Sequence, residues 1–261
     1  MRFRSRRVWA QVRMAMAVGL ASAGGQAVQT ANEGFDIASI KPSKPDARGY
    51  SIRPFPGRLS AENVTLKLLI SEAYHVFDFQ VSGGPKWIDS DRYDVEAKTG
   101  GDVIPSGQQL RGMLRKLLED RFALKVRQET KEMAVFAMVT VKGGSKLQPS
   151  KDPQAQVMFR VFQRRQITAA NAPLEHLTET LTWLLGRPVV DRTGLQGSFD
   201  YKLEWSPDEV QIRSTEAPVE IAGNALPLDG ALQQQLGLKL VSQKDQVGLI
   251  VVESAERPIV N

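Results

Sequence analysis

Cysteine is absent from all 261 residues, which excludes disulfides, thiolate nucleophiles and cysteine-ligated metals. Histidine occurs only twice, at His75 and His176, so a histidine-rich metal site has almost no material. The chain also lacks a G-x-S-x-G elbow, an S-x-x-K pair, an H-E-x-x-H helix and a phosphate-binding loop. Its longest apolar run is about half the ~20 residues that a spanning helix requires. A chain exported without disulfides must be held by its core, and this one is long enough for one or two.

What is present begins at the N-terminus. Arg2, Arg4, Arg6, Arg7 and Arg13 precede any acid, since the first is Glu33. Residues 14–23 are then apolar and small, and Gly25-Gln26-Ala27 offers a cleavage site. This pattern predicts a signal peptide over residues 1–27 and an exported protein, in the periplasm or outer envelope. Arg6-Arg7 also has a twin-arginine look that Arg13 interrupts, which leaves both export routes open. The net charge of +5 equals the five leader arginines, so the remainder is formally neutral. No basic face is left to compete for phosphates, and nucleic-acid binding is not expected.

The chain also repeats itself. Residues 58–69 read RLSAENVTLKLL and residues 166–177 read QITAANAPLEHL. Asn63 and Asn171 lie 108 positions apart, and Asp94 and Asp200 lie 106 apart. A third block, FALKV at 122–126 against LGLKL at 236–240, has an offset of 114. Such self-similarity predicts two tandem related copies, at 34–144 and 158–258, joined by a connector at 145–157. Periodicity predicts an α+β class. Each copy should run strand–helix–strand–strand, then a helix and a β-hairpin. Asn63 and Asn171 are expected to start helices, and the first hairpin is expected to turn at Glu129–Glu132. Residues 41–57 and 206–228 are expected to be loops.

Candidate chemistry is sparse. Ser82-Gly83-Gly84-Pro85-Lys86-Trp87 is the most distinctive phrase, because paired glycines allow close backbone approach and an indole can anchor a partner. Gly83, Gly84, Pro85, Lys86 and Trp87 are therefore the expected binding surface, although a tight turn closing the core explains the same residues. Asp89, Asp91 and Asp94 suggest a hard-cation site, but turn chemistry accounts for them as well. The Asp191–Gly197 loop is too weak a pattern for a nucleotide site. No cofactor is expected.

The phrases FDIASIKPS, SGGPKWIDSDRYDVEAK and GRPVVDRTGLQGSFDYKLEW, with a final ALQQQLGLKL, resemble a soil-associated exported family expanded in Acidobacteria, the DUF3738 family. The resemblance implies export. Some members look fused to a membrane metallopeptidase, but this chain has no such segment and no zinc chemistry carries over. The resemblance carries over no catalytic residues. The strand–helix–strand core also looks like the modules at the N-termini of secretins and TonB-dependent receptors, a likeness of fold alone. The expected function is binding or sensing in the envelope, of a protein partner or a small ligand, rather than catalysis. One alternative is a hydrolase drawing on Tyr74, His75, Asp89, Asp91, Asp94 and Glu96. The other is a self-pairing adaptor.

Overall fold

The computed structural model describes residues 34–99, 101–152, 154–163, 165–206 and 226–259. The described residues form one compact unit. The expected leader and most of the 206–228 loop lie outside the described residues. In chain order the first elements are β1 (Ile37–Pro42), β2 (Ser51–Phe55), β3 (Arg58–Thr65), α1 (Leu66–Tyr74), β4 (Val81–Gly83), β5 (Arg92–Lys98), α2 (Gly107–Phe122) and β6 (Lys125–Thr140). Then come β7 (Gln148–Pro149), β8 (Met158–Phe162), β9 (Gln166–Pro173), α3 (Leu174–Leu185), β10 (Val189–Asp191) and β11 (Ser198–Glu204). The chain closes with α4 (Leu228–Ala231), which runs on as a wider turn over Leu232–Leu236, and β12 (Leu238–Ser254). The class is mixed α+β, with three four-stranded sheets among the described residues.

Local chemistry sets the helix ends. Thr65 caps α1 by accepting the Leu68 N–H at 3.2 Å. Ser106 and Gln109 cap α2 reciprocally, a capping box that satisfies two N–H groups. The apolar stripe of α2 then buries Leu110, Met113, Leu114, Leu117, Leu118 and Phe122.

The two outer sheets are antiparallel and have the orders β1-β5-β3-β2 and β7-β11-β9-β8. The central sheet, β10-β6-β12-β4, draws strands from both halves of the chain. Here β6 and β12 pair antiparallel along their whole length, from Leu238 opposite Thr140 to Ser254 opposite Lys125. β4 runs parallel to β12, with Val81 opposite Ile250, and β10 runs parallel to β6, with Val189 opposite Phe136. Strands from early and late in the chain therefore interleave.

The cores follow the same exchange. One holds Leu59, Leu69, Ile70, Leu118 and Phe122 together with Ile250 and Val252 from the end of the chain. The other holds Ile167, Leu177, Leu181 and Leu203 together with Met138 and Leu147. Side chains alternate along a strand, and the register is unbroken from Leu238 to Val252, so Ile250 and Val252 lie on the same face of β12 as Leu238 and Leu240. One face of the central sheet thus feeds both cores, one at each end.

Several expectations are corrected. Neither expected hairpin exists. Residues 129–132 lie inside the continuous strand β6, and the long strands find each other across the chain because each exposes a full ladder. Asn63 and Asn171 are not helix starts: the helices begin at Leu66 and Leu174, three residues later. The expected loop at 41–57 contains β2, and the connector at 145–157 contains β7, which pairs with β11.

Candidate functional site

Asn63 and Asn171 sit in strands with left-handed backbones, at φ 53° and 49°. Asparagine tolerates this region better than most side chains do. At each, the register slips so that two residues oppose one aspartate: Glu62 and Asn63 face Asp94, and Ala170 and Asn171 face Asp200. These are β-bulges. The Asp94 carboxylate accepts the Asn63 N–H at 2.8 Å, and the Asp200 carboxylate accepts the Asn171 N–H at 2.8 Å. The Asn63 side-chain amide donates to the Gly49 and Ala47 carbonyls, and that of Asn171 donates to the Ala155 carbonyl. The repeated phrase is thus a clamp that ties the preceding segment down onto the bulged strand. Ser43 strengthens the first clamp by donating to Asp94 at 2.7 Å, and Arg92 adds a bond to the Asn63 carbonyl at 2.8 Å.

The first clamp forms the floor of an open groove of about 610 Å³ between the segment 44–51 and the outer face of the first sheet. Lys44, Arg48 and Arg53 supply positive charge, Glu62, Asp94 and Glu96 negative charge, and Tyr50 an exposed ring. Ser60 donates to Glu96 beneath it. None of Lys44, Arg48 and Arg53 has a carboxylate partner among the described residues. Sequence reading placed Asp94 and Glu96 among candidate acids, but it missed the three cations and Tyr50 because their segment reads as loop. The available signal was a cluster of basic residues around Gly49-Tyr50.

The Gly83–Trp87 turn is packed against the chain's own end. Gly83 and Gly84 have φ 77° and 74°, and a Cβ on either would lie 2.7–2.8 Å from Val252 atoms. Pro85 precedes a short 3-10 turn, Lys86–Asp89. The half-buried Trp87 ring stacks on Phe122 at 6.5 Å, and the Arg257 guanidinium lies 5.2 Å from its centroid. Close approach to β12 and closure of the first core account for this phrase. Lys86 is left exposed beside it.

The remaining candidates are dispersed. Asp89 pairs with Lys67 at 3.0 Å and Asp91 with Arg257 at 2.8 Å, while Asp94 serves the clamp. Among the described residues no group of three His, Asp or Glu side chains is placed to hold a metal. His75 meets Glu179 at 3.0 Å on the surface, and His176 lies 5.4 Å from the Phe159 ring. Burial, aided by Glu119 and opposed by Arg115, raises the Tyr74 pKa. A phenol shifted this way is harder to ionise and a poorer base at neutral pH. In the 191–197 loop Arg192 pairs with Asp245, and Asp191 accepts the Thr193 N–H at 2.8 Å. No described helix is long and apolar enough to cross a membrane.

No curated protein and no solved structure matches the chain. The family described as Protein of unknown function (DUF3738) matches residues 67–255, from α1 to the end of β12. The chain belongs to the DUF3738 family.

Proposed function

We propose that this protein is an exported binding or sensor module of the cell envelope, and that its ligand site is the groove over the Asn63–Asp94 clamp. The observation that carries this reading is the placement, in one open concavity, of an exposed aromatic ring and three cations that have no carboxylate partner among the described residues around three carboxylates. A surface of this kind suits a small polar ligand that carries both charges: an anionic group meets Arg48 or Arg53, and a cationic group meets Glu62 or Glu96. The export half of the proposal rests on the arginine-led, small-residue N-terminus.

We further infer that the two halves are related copies. In support, the Asn–Asp clamp recurs at the same bulge, and the two outer sheets share one strand order. The partners of the flanking strands keep the spacing of the sequence repeat, 108 positions between Val81 and Val189 and 114 between Phe136 and Ile250. Every residue that lines the groove belongs to the first copy. Native mass spectrometry after equilibration with the low-mass fraction of an envelope extract tests the site. A discrete adduct on the wild-type protein that is lost in Arg48→Ala/Arg53→Ala supports the groove. An adduct unchanged in that variant places the ligand elsewhere, and no adduct on either protein counts against a small-molecule binder.

A further inference from the structure

Sheet edges carry unpaired N–H and C=O groups, and proteins usually guard them with proline, charge or brevity. Six edge strands bound the three sheets of the described residues. β1, β2 and β7 each contain a proline, at Pro42, Pro54 and Pro149, and β4 and β10 are three residues long. β8 is different. Its five residues, Met-Phe-Arg-Val-Phe, lack proline, and Met158, Val161 and Phe162 are 37%, 39% and 48% exposed. Its counterpart by sheet position, β2, has the proline that β8 lacks. One side of β8 is fixed to β9, with Arg160 opposite Thr168, and the other pairs with no strand among the described residues.

We propose that β8 is a docking edge for an extended acidic segment of another protein, which adds to the third sheet as a fifth strand. Side chains alternate along a strand, so Met158, Arg160 and Phe162 share one face. Arg160 is exposed and has no carboxylate partner among the described residues. The complement is a strand with an acid opposite Arg160 and apolar residues two positions to either side. A second copy of the chain is the wrong occupant. Antiparallel self-pairing centred on β8 sets Arg160 opposite Arg160, and directly opposed like charges are destabilising. Backbone bonds supply attachment, while the apolar–acid–apolar pattern supplies selectivity. This inference is independent of the groove, which lies on the first sheet.

Fluorescence anisotropy with the full chain tests it. The probes are labelled, end-blocked peptides containing Val-Thr-Glu-Thr-Val or Val-Thr-Lys-Thr-Val, each flanked by two threonines. The glutamate peptide should bind at least ~10-fold more tightly than the lysine peptide. Methylating alternate backbone nitrogens should abolish binding, since strand addition needs those donors. Arg160→Glu, an exposed change that leaves the core intact, should reverse the preference for glutamate over lysine, and Val161→Pro should weaken both peptides. Equal binding of both peptides, binding that survives N-methylation, or no binding by either overturns the proposal. So does a concentration-dependent dimer of the free protein that Val161→Pro disrupts, because the occupant would then be a second copy.

Discussion

Substitution of Asn63 separates the two things this residue does. Its backbone lies at φ 53°, and its side-chain amide donates to the Gly49 and Ala47 carbonyls. Alanine keeps neither feature: the left-handed conformation costs it about 1 kcal/mol relative to asparagine, and the lost amide bonds cost a further 1–1.5 kcal/mol or so. Asn63→Ala should therefore destabilise by about 2–2.5 kcal/mol. Asn63→Gly restores the backbone freedom but not the amide, and should cost only about 1 kcal/mol. Asp94→Ala leaves the Asn63 N–H without its carboxylate acceptor and should cost about 1–3 kcal/mol. Urea unfolding provides the assay, with the midpoint moving and the slope unchanged. The Asn171 pair of variants should follow the same order, since Asn171 has φ 49° and the same bond to an aspartate. Equal losses for glycine and alanine would refute the backbone part of the reasoning, and neutral effects throughout would refute the clamp.

Three further outcomes follow from the packing. Trp87→Ala should lower stability by ~2 kcal/mol through lost stacking on Phe122 and Arg257, read by urea unfolding; a stable variant that loses only ligand or partner capture would instead make Trp87 a recognition anchor. Cleavage at a protease site engineered between Lys151 and Asp152 should leave the two fragments co-eluting in native buffer and separating only in denaturant, because β6 and β12 hold them together; separation in native buffer would contradict the shared central sheet. The Arg192 hydrogen bond, assisted by the Gln246 N–H, holds the Asp245 pKa below its ordinary 3.8. A depressed carboxyl pKa gives stability that is present above the unfolded value and lost as pH falls through the folded one. Asp245→Asn should therefore lower the midpoint of urea unfolding at pH 7 and converge with the wild type below the folded-state pKa, whereas a difference that persists there would rule out the ion pair as its source.

Much of the local structure was legible in the sequence. Helical spacing located α2 and α3, because Leu114, Leu117 and Leu118 and then Leu174, Leu177 and Leu181 recur on one face. The Asn and Asp positions stood out as well, but their role did not. Asparagine caps helices and also tolerates left-handed backbone, and a helix three residues downstream makes the two readings look alike. The central sheet was the larger miss. Alternating polar and apolar residues at 125–140 and 238–254 specify strands without naming their partners, and charged residues near the middle of each imitate a turn. Only the register, Glu132 opposite Gln246, reveals that the middles face each other. The groove was hidden for a related reason: Arg48 and Arg53 belong to a segment that reads as loop, and only its return over Asn63 brings them beside Asp94 and Glu96.

Backbone amide shifts of the protein titrated with the ligand recovered from envelope extract test the binding claim most directly. The shifts should cluster at Arg48–Arg53, Glu62–Asn63 and Asp94–Glu96, the residues that form the groove. Shifts confined to residues outside the groove, with these amides unmoved at saturation, would contradict it.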